Sequence, residues 1–133
     1  MAVEDGLAVL DLSPLAYGLA IVLSLFVVFI GARFLLVPQA AAAGYGVPAR
    51  PDGDPAYLTV KGLKDLTFGL IGLALIAFTT ADAVAWFMLI VALVLLGDTL
   101  IVLCSGGTKA VAFGIHFATA AVVLLDAALL FAL

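Results

Sequence analysis

The stretch KGLKDLTFGLIGLALIAFTTA, residues 61–81, decides how this chain folds. It places three charged residues, Lys61, Lys64 and Asp65, within five positions, and the sixteen residues that follow are uncharged and mostly apolar. Lysine is common at the mouth of a membrane-spanning helix, whereas a carboxylate directed into one is costly and usually has a function. The stretch therefore predicts a helix in lipid whose first turns carry a polar site.

The composition of the whole chain fits such surroundings. Its 133 residues are 67% hydrophobic and only 11% charged, with a mean hydropathy of +1.40. A soluble domain of this size needs more polar side chains to cover its core, so most of the surface must face lipid. The formal net charge of −4 argues against nucleic acid as a partner. The single cysteine, Cys104, excludes an internal disulfide and a cysteine-rich metal site.

Four long apolar segments predict an all-α fold, in which the whole chain forms one integral membrane four-helix bundle with short loops. Helix-capping residues stand at the predicted starts: Ser13, Asp54, Asp82 and Thr108. At a rise of about 1.5 Å per residue, each segment can cross a hydrocarbon core of ~30 Å. A short helix on the membrane surface is expected over residues 39–43. The predicted long helices cover residues 14–37, 55–80, 83–104 and 109–130.

The basic residues predict the orientation of the bundle. All five Lys and Arg residues flank the first or the third predicted connection, and none flanks the second connection or either terminus. Basic residues concentrate on the cytoplasmic side of membrane proteins. The pattern therefore predicts that the loop at residues 38–54 is cytoplasmic and that both termini are outside.

Each predicted helix brings an ionisable side chain into the cytoplasmic half of the bundle. From the helical rise, Arg33 lies roughly 6 Å inside its helix end, and Asp98 and His116 lie roughly 9 Å inside theirs. Asp65 lies at most roughly 15 Å along its helix. Charges in lipid need partners, and the guanidinium fork suits carboxylates, so we expect Arg33 to pair with Asp65, Asp98 or both.

These positions predict a polar pocket that binds a ligand. Its ligand-binding residues are predicted to be Arg33, Lys61, Lys64, Asp65, Asp98 and His116. Some also fit simpler roles: Lys61 and Lys64 can extend to the membrane surface as anchors, and a lone His on an apolar helix is commonly held by a structural hydrogen bond. No catalytic residue is assigned, and one His without an acidic pair at metal spacing argues against a metal or haem site. Asp126, near the outer end, is expected to face water or a neighbour.

Several short motifs resemble a family of small prokaryotic membrane proteins. They lie at residues 31–38 (GARFLLVP), 45–48 (YGVP), 61–66 (KGLKDL) and 97–98 (GD). They are similar to motifs of four-helix bacterial and archaeal proteins catalogued as a domain of unknown function, which look distantly DoxX-like. The resemblance implies a four-helix bundle in a prokaryotic inner or plasma membrane, without an established activity or cofactor. It points to Arg33, Lys61, Asp65 and Asp98.

The predicted pocket favours binding of an amphiphilic or anionic small molecule, such as a lipid or a quinone-like compound. Its three basic and two acidic residues leave one positive charge, which suits an anionic head on an apolar body. One alternative is a small proton-coupled transporter acting as a dimer, although the Glu that such transporters carry in their first helix is missing, since the one Glu is Glu4. Another is a structural or accessory membrane subunit whose charges serve assembly alone. An enzyme has the least support, because nothing in the sequence indicates a substrate.

Overall fold

The structure, a computed structural model, describes residues 11–48, 53 and 55–133. These residues form helices and no strand, so the predicted all-α class is confirmed. The last helix is continuous but takes π geometry over Ala112–Phe117. The helices are α1 (Ser13–Leu36), α2 (Pro38–Tyr45), α3 (Ala56–Phe78), α4 (Ala81–Cys104) and α5 (Lys109–Phe131).

The first residues of α5 and α1 test two of the predicted caps. Thr108 caps α5 as predicted, because its side-chain oxygen accepts a hydrogen bond from the Val111 N–H at 3.1 Å. The prediction for Ser13 is wrong, since Ser13 already lies in the first turn of α1. Its N–H donates instead to Asp11 Oδ1 at 2.9 Å, so the carboxylate two residues earlier satisfies that free donor.

The start of α4 corrects a third predicted cap. Thr80 has extended backbone angles, and its side chain accepts a hydrogen bond from the Ala83 N–H at 3.3 Å. Asp82 therefore lies in the first turn rather than at the cap, where its charge still interacts favourably with the helix dipole. The predicted cap Asp54 lies outside the described residues.

Glycine brings α1 and α3 into the closest helix contact of the fold. A Cβ atom added at Gly31 would lie 2.3 Å from the Leu66 backbone nitrogen, and one added at Gly69 would lie 2.7 Å from the Ser24 carbonyl oxygen. Neither position leaves room for a larger residue without separating the two backbones. Gly69 and Gly72 are both buried against α1.

The second helix pair, α4 and α5, packs against the first through α1–α5 and α3–α4 contacts. A buried apolar core fills one end of the assembly, where α1 and α4 begin and α5 finishes. Many of its members are alanine, which lets the helices approach closely. We call this region the packed end; its buried residues are Ala16, Ala20, Leu23, Val84, Ala85, Met88, Ala92, Val123, Ala127 and Leu130.

The short helix α2 folds back over the opposite end. Non-helical angles at Val37 separate it from α1, and Gly46 ends it with a φ of 98°, a value that favours glycine. Ala41 and Ala42 are buried against Phe34 of α1. The predicted short helix is thus present and longer than expected, and its last residue is carried into the interior of the fold.

Three of the described helices, α1, α4 and α5, are long and apolar enough to cross a membrane. Helix α3 has a comparable length, but it carries Lys61, Lys64 and Asp65 in its first ten residues. Large apolar side chains, among them Leu93 and Leu100, are exposed on the outer surface. This combination indicates a membrane protein, because lipid is the solvent that such a surface requires.

Candidate functional site

A cavity of about 310 Å³ lies between the four long helices. Its wall follows α1 over residues 23–34 and α4 over residues 87–98, so each of these walls is roughly 16 Å long. Most of the wall is apolar, with phenylalanine, valine and leucine side chains. Its volume lies at the lower end of the range that is usual for small-molecule sites. The cavity is therefore elongated and mostly apolar.

The polar residues of the wall concentrate at the end near α2, which we call the polar end. Four of the six predicted site residues line the cavity, one from each long helix. They are joined by Tyr45 from α2, which the sequence reasoning did not assign to the site, although it lies in one of the motifs of the family resemblance. Neither Lys61 nor Lys64 lines the cavity. The residues of the polar end are Arg33, Tyr45, Asp65, Asp98 and His116.

Lys61 pairs with Asp65 on its own helix. The Lys61 Nζ atom lies 2.8 Å from Asp65 Oδ2 and 4.3 Å above the centre of the Tyr45 ring. A carboxylate one turn away and an aromatic face thus hold the ammonium group, and the expectation that Lys61 extends to the membrane surface stays a prediction. Lys64 is exposed, which fits the role of a surface anchor.

Tyr45 connects three helices at the polar end. Its phenol O–H donates a hydrogen bond to Asp98 Oδ2 of α4. His116 Nε2 of α5 lies 2.7 Å from the Tyr45 carbonyl oxygen, and since a carbonyl can only accept, Nε2 must carry the hydrogen. Burial, and then the negative charge of Asp98, raise the pKa of the Tyr45 phenol, so it stays protonated and remains the donor.

Arg33 does not form the ion pairs that the sequence predicted. Among the described residues it has no carboxylate within salt-bridge distance. The reason is competition, because Asp65 is held by Lys61 and Asp98 by Tyr45. The Arg33 guanidinium extends instead along α2, where Nη1 lies 4.0 Å from the position that a Cβ at Gly44 would take. Arg33 is thus half-buried and lines the cavity, and no described carboxylate lies within salt-bridge distance of it.

The local backbone geometry of α5 determines where the His116 side chain lies. The π segment Ala112–Phe117 contains His116, whose side chain is 2% exposed, and the ring stacks against Tyr45 with centroids 4.2 Å apart. Single π turns inside α-helices are frequent at functional sites, because the extra residue redirects one side chain. Nothing in the amino-acid pattern of this stretch indicates a π turn.

Two buried polar side chains have no hydrogen-bond partner among the described residues, Ser24 and Asp126. Ser24 lines the cavity nine residues from Arg33, roughly 13 Å deeper along α1. Asp126 lies outside the cavity wall and is 0% exposed, so the expectation that it faces water is wrong. Its spacing from Val123 and Leu130 puts it on the face of α5 that packs into the core.

The polar end thus offers a free guanidinium and carboxylates that are already bonded, at the end of an apolar cavity. Such an arrangement can orient the head of an amphiphile. In the part of the chain that the structure describes, no three His, Cys, Asp or Glu side chains stand close enough to hold a metal ion.

Comparison with protein families shows which family the chain belongs to. Residues 24–130 match the family described as "Domain of unknown function (DUF4267)", and because this match covers most of the chain, the protein belongs to that family. The matched segment contains all five residues of the polar end. No curated protein and no solved structure matches the chain significantly.

Proposed function

We propose that this member of the DUF4267 family binds an amphiphilic small molecule or lipid inside the helix assembly. The observation that carries the proposal is the asymmetry of the cavity. It is polar where α1, α3, α4 and α5 contribute Arg33, Asp65, Asp98 and His116, and it is mostly apolar along the rest of its wall. A ligand with a polar head and an apolar tail matches both parts. Pockets of this kind use a few polar groups to orient a ligand that is otherwise held by apolar contacts.

The source of the ligand in this proposal is the bilayer. Several side chains line the cavity and are also exposed on the outer surface of the assembly, so the cavity communicates with the lipid-facing side. These side chains are Phe26, Phe29, Phe68 and Val94. An amphiphile already dissolved in the membrane can enter between them without crossing water.

The proposal includes the membrane arrangement expected from the sequence. In it, α3 is the fourth span of a four-helix bundle, because the Lys61–Asp65 pair neutralises two of its three charges and lowers the cost of insertion. The positive-inside rule then places the loop at residues 38–54 in the cytoplasm and both termini outside, in a prokaryotic inner or plasma membrane. The polar end lies on the cytoplasmic side. A distant relationship to DoxX-like proteins is compatible with this arrangement and does not support it.

A structural or accessory role is the second candidate. It is favoured by the hydrogen bonds from Tyr45 to Asp98 and from His116 to the Tyr45 carbonyl, which tie α2 to α4 and α5. On this hypothesis the polar side chains serve assembly alone and the cavity is filled only by passing lipid tails.

The test is native mass spectrometry of the protein purified in mild detergent, with a blocking variant beside a matched control. Val91→Trp places an indole in the cavity, whereas Leu93→Trp puts the same group on the exposed face of the same helix. We expect a bound amphiphile in the wild type and in Leu93→Trp, and at least about a tenfold loss of occupancy in Val91→Trp.

Two outcomes would contradict the proposal. One is occupancy in Val91→Trp equal to that of the wild type, with both proteins melting at similar temperatures. The other is a wild-type protein that carries no amphiphile and takes none up when dodecanol or dodecanoate is added. If Val91→Trp does not fold, Thr119→Phe, on the part of the cavity wall that α5 forms, replaces it.

A further inference from the structure

We infer that the head of the ligand is an oxyanion, a carboxylate or a phosphate on a single alkyl chain, and that Arg33 selects it. This inference rests on the proposed function, because it names the class of amphiphile that the same cavity takes. It follows from how the charged groups of the polar end are already engaged.

Each carboxylate of the polar end has a partner other than Arg33. Asp65 Oδ2 accepts a hydrogen bond from Lys61 Nζ at 2.8 Å. Asp98 Oδ2 accepts the hydrogen bond of the Tyr45 phenol. Both carboxylates are thus held towards other donors, and neither forms a salt bridge with Arg33.

Arg33 is left as the cation of the described cavity wall that has no counter-ion. Unlike lysine, arginine stays charged in apolar surroundings, and a guanidinium inside a membrane protein without an anionic partner is costly. A carboxylate or phosphate is the group that matches its planar fork, because two parallel N–H donors reach two oxygens of one anion. A hydroxyl or carbonyl head can accept from the same fork but supplies no charge.

The charges around Arg33 determine how an anion is received at this position. Without Arg33, the charges of Lys61, Asp65 and Asp98 sum to −1. Lys64 lies one position before Asp65 and adds a positive charge at the surface, which brings the sum around Arg33 to zero. An oxyanion therefore depends on the Arg33 guanidinium for its attraction to the polar end.

The apolar part of the cavity limits the tail. Buried Leu23, Met88 and Val123 belong both to the cavity wall and to the packed end, so they form its floor. The wall from the polar end to this floor is roughly 16 Å long. This length and a volume of about 310 Å³ suit one alkyl chain of about the length of a dodecyl group rather than two long chains.

The experiment titrates three probes with the same chain into the detergent-solubilised protein at mildly alkaline pH and measures binding by native mass spectrometry. The probes are dodecanoate, dodecyl phosphate and dodecanol. We expect one or both oxyanions to bind at least about tenfold more tightly than dodecanol, which is the effect of a charge-assisted hydrogen bond. A preference between the two oxyanions distinguishes a fatty acid from a phosphate-headed lipid.

Arg33→Gln and Lys64→Gln form the matched pair of variants, since each removes one positive charge and only Arg33 lines the cavity. Arg33→Gln should bind the oxyanions as weakly as dodecanol, and Lys64→Gln should keep the wild-type preference. If Arg33→Gln does not fold, Arg33→Lys replaces it. This variant should retain part of the preference for oxyanions, because lysine keeps a positive charge but cannot make the bidentate contact of arginine.

Equal affinity of the wild type for dodecanol and both oxyanions would overturn this inference and leave the proposed function standing. A wild-type preference that Arg33→Gln fully retains would also overturn it, because another group would then select the head. Failure of all three probes to bind would contradict the proposed function itself, and the inference with it.

Discussion

The packed end and the polar end are built by the same four long helices and differ in what fills the space between them. At the packed end, alanines such as Ala16, Ala85 and Ala127 let the helices approach closely. At the polar end, Phe34 and Tyr45 meet edge to face with centroids 5.7 Å apart, and a cavity remains between the helices. The packed end fixes α1, α4 and α5, and the glycine contact with α1 fixes α3, so the polar end can keep an unfilled space.

The largest effect that tests this division is expected at Gly31. Gly31→Ala drives a Cβ to within 2.3 Å of the α3 backbone, so the two helices must separate. We expect a loss of about 3 kcal/mol or more in the free energy of unfolding, the upper part of the range for overpacking. Thermal unfolding in detergent measures it.

Gly18→Ala is the control in the same helix, because a Cβ at Gly18 has nothing within 4 Å. It should raise the melting temperature slightly, since alanine favours helix over glycine by about 1 kcal/mol. Equal melting temperatures for the two variants would show that the α1–α3 contact does not set the helix positions.

The next largest effect is expected at Tyr45, which closes the polar end. Tyr45→Phe removes the hydrogen bond to Asp98 and leaves that carboxylate without its donor. A hydrogen bond to a charged group is worth about 1.5–3 kcal/mol, and we expect a destabilisation of this size together with faster hydrogen exchange in α2. Exposed Tyr57 provides the control variant Tyr57→Phe, which should leave both measurements unchanged.

A smaller effect of opposite sign is expected at the packed end. Asp126 is 0% exposed, and neither of its side-chain oxygens has a partner among the described residues. Asp126→Ala removes an unsatisfied polar group and should stabilise the protein by about 1 kcal/mol in equilibrium unfolding. A clear destabilisation would mean that Asp126 has a partner in the membrane, for example a second copy of the chain. Asp82 is exposed, so Asp82→Ala is the control that shows the effect of losing an acidic residue alone.

The smallest effect is expected at Ser24, on the boundary between the two ends. Its Oγ atom has no hydrogen-bond partner within the described part of the chain, so Ser24→Ala should change the free energy of unfolding by no more than about 0.5 kcal/mol. The amphiphile occupancy seen by mass spectrometry should also stay constant, because the tail passes Ser24 without a polar contact. A drop in occupancy would move the polar contact of the ligand deeper into the cavity.

The sequence predicted the helical class and four of the five residues that meet at the polar end, because helical rise and charge placement depend only on spacing. It could not predict the partners of Arg33, since the competing phenol of Tyr45 comes from a helix whose return over the polar end depends on the angles at Val37. It also wrongly allowed Asp126 to face water, because the helix has apolar residues on every side and its rotation is set by packing against α4 and α1.

The π segment of α5 has a consequence for how this chain tolerates insertions and deletions. An α-helix turns by about 100° per residue, so the extra residue within Ala112–Phe117 offsets the angular phase of everything that follows. His116 within this segment meets Tyr45, and Val123, Ala127 and Leu130 after it face the core. Deleting one residue of the segment would keep one of these two alignments and rotate the other into lipid. The length of this turn therefore keeps two ends of one helix in phase with different neighbours.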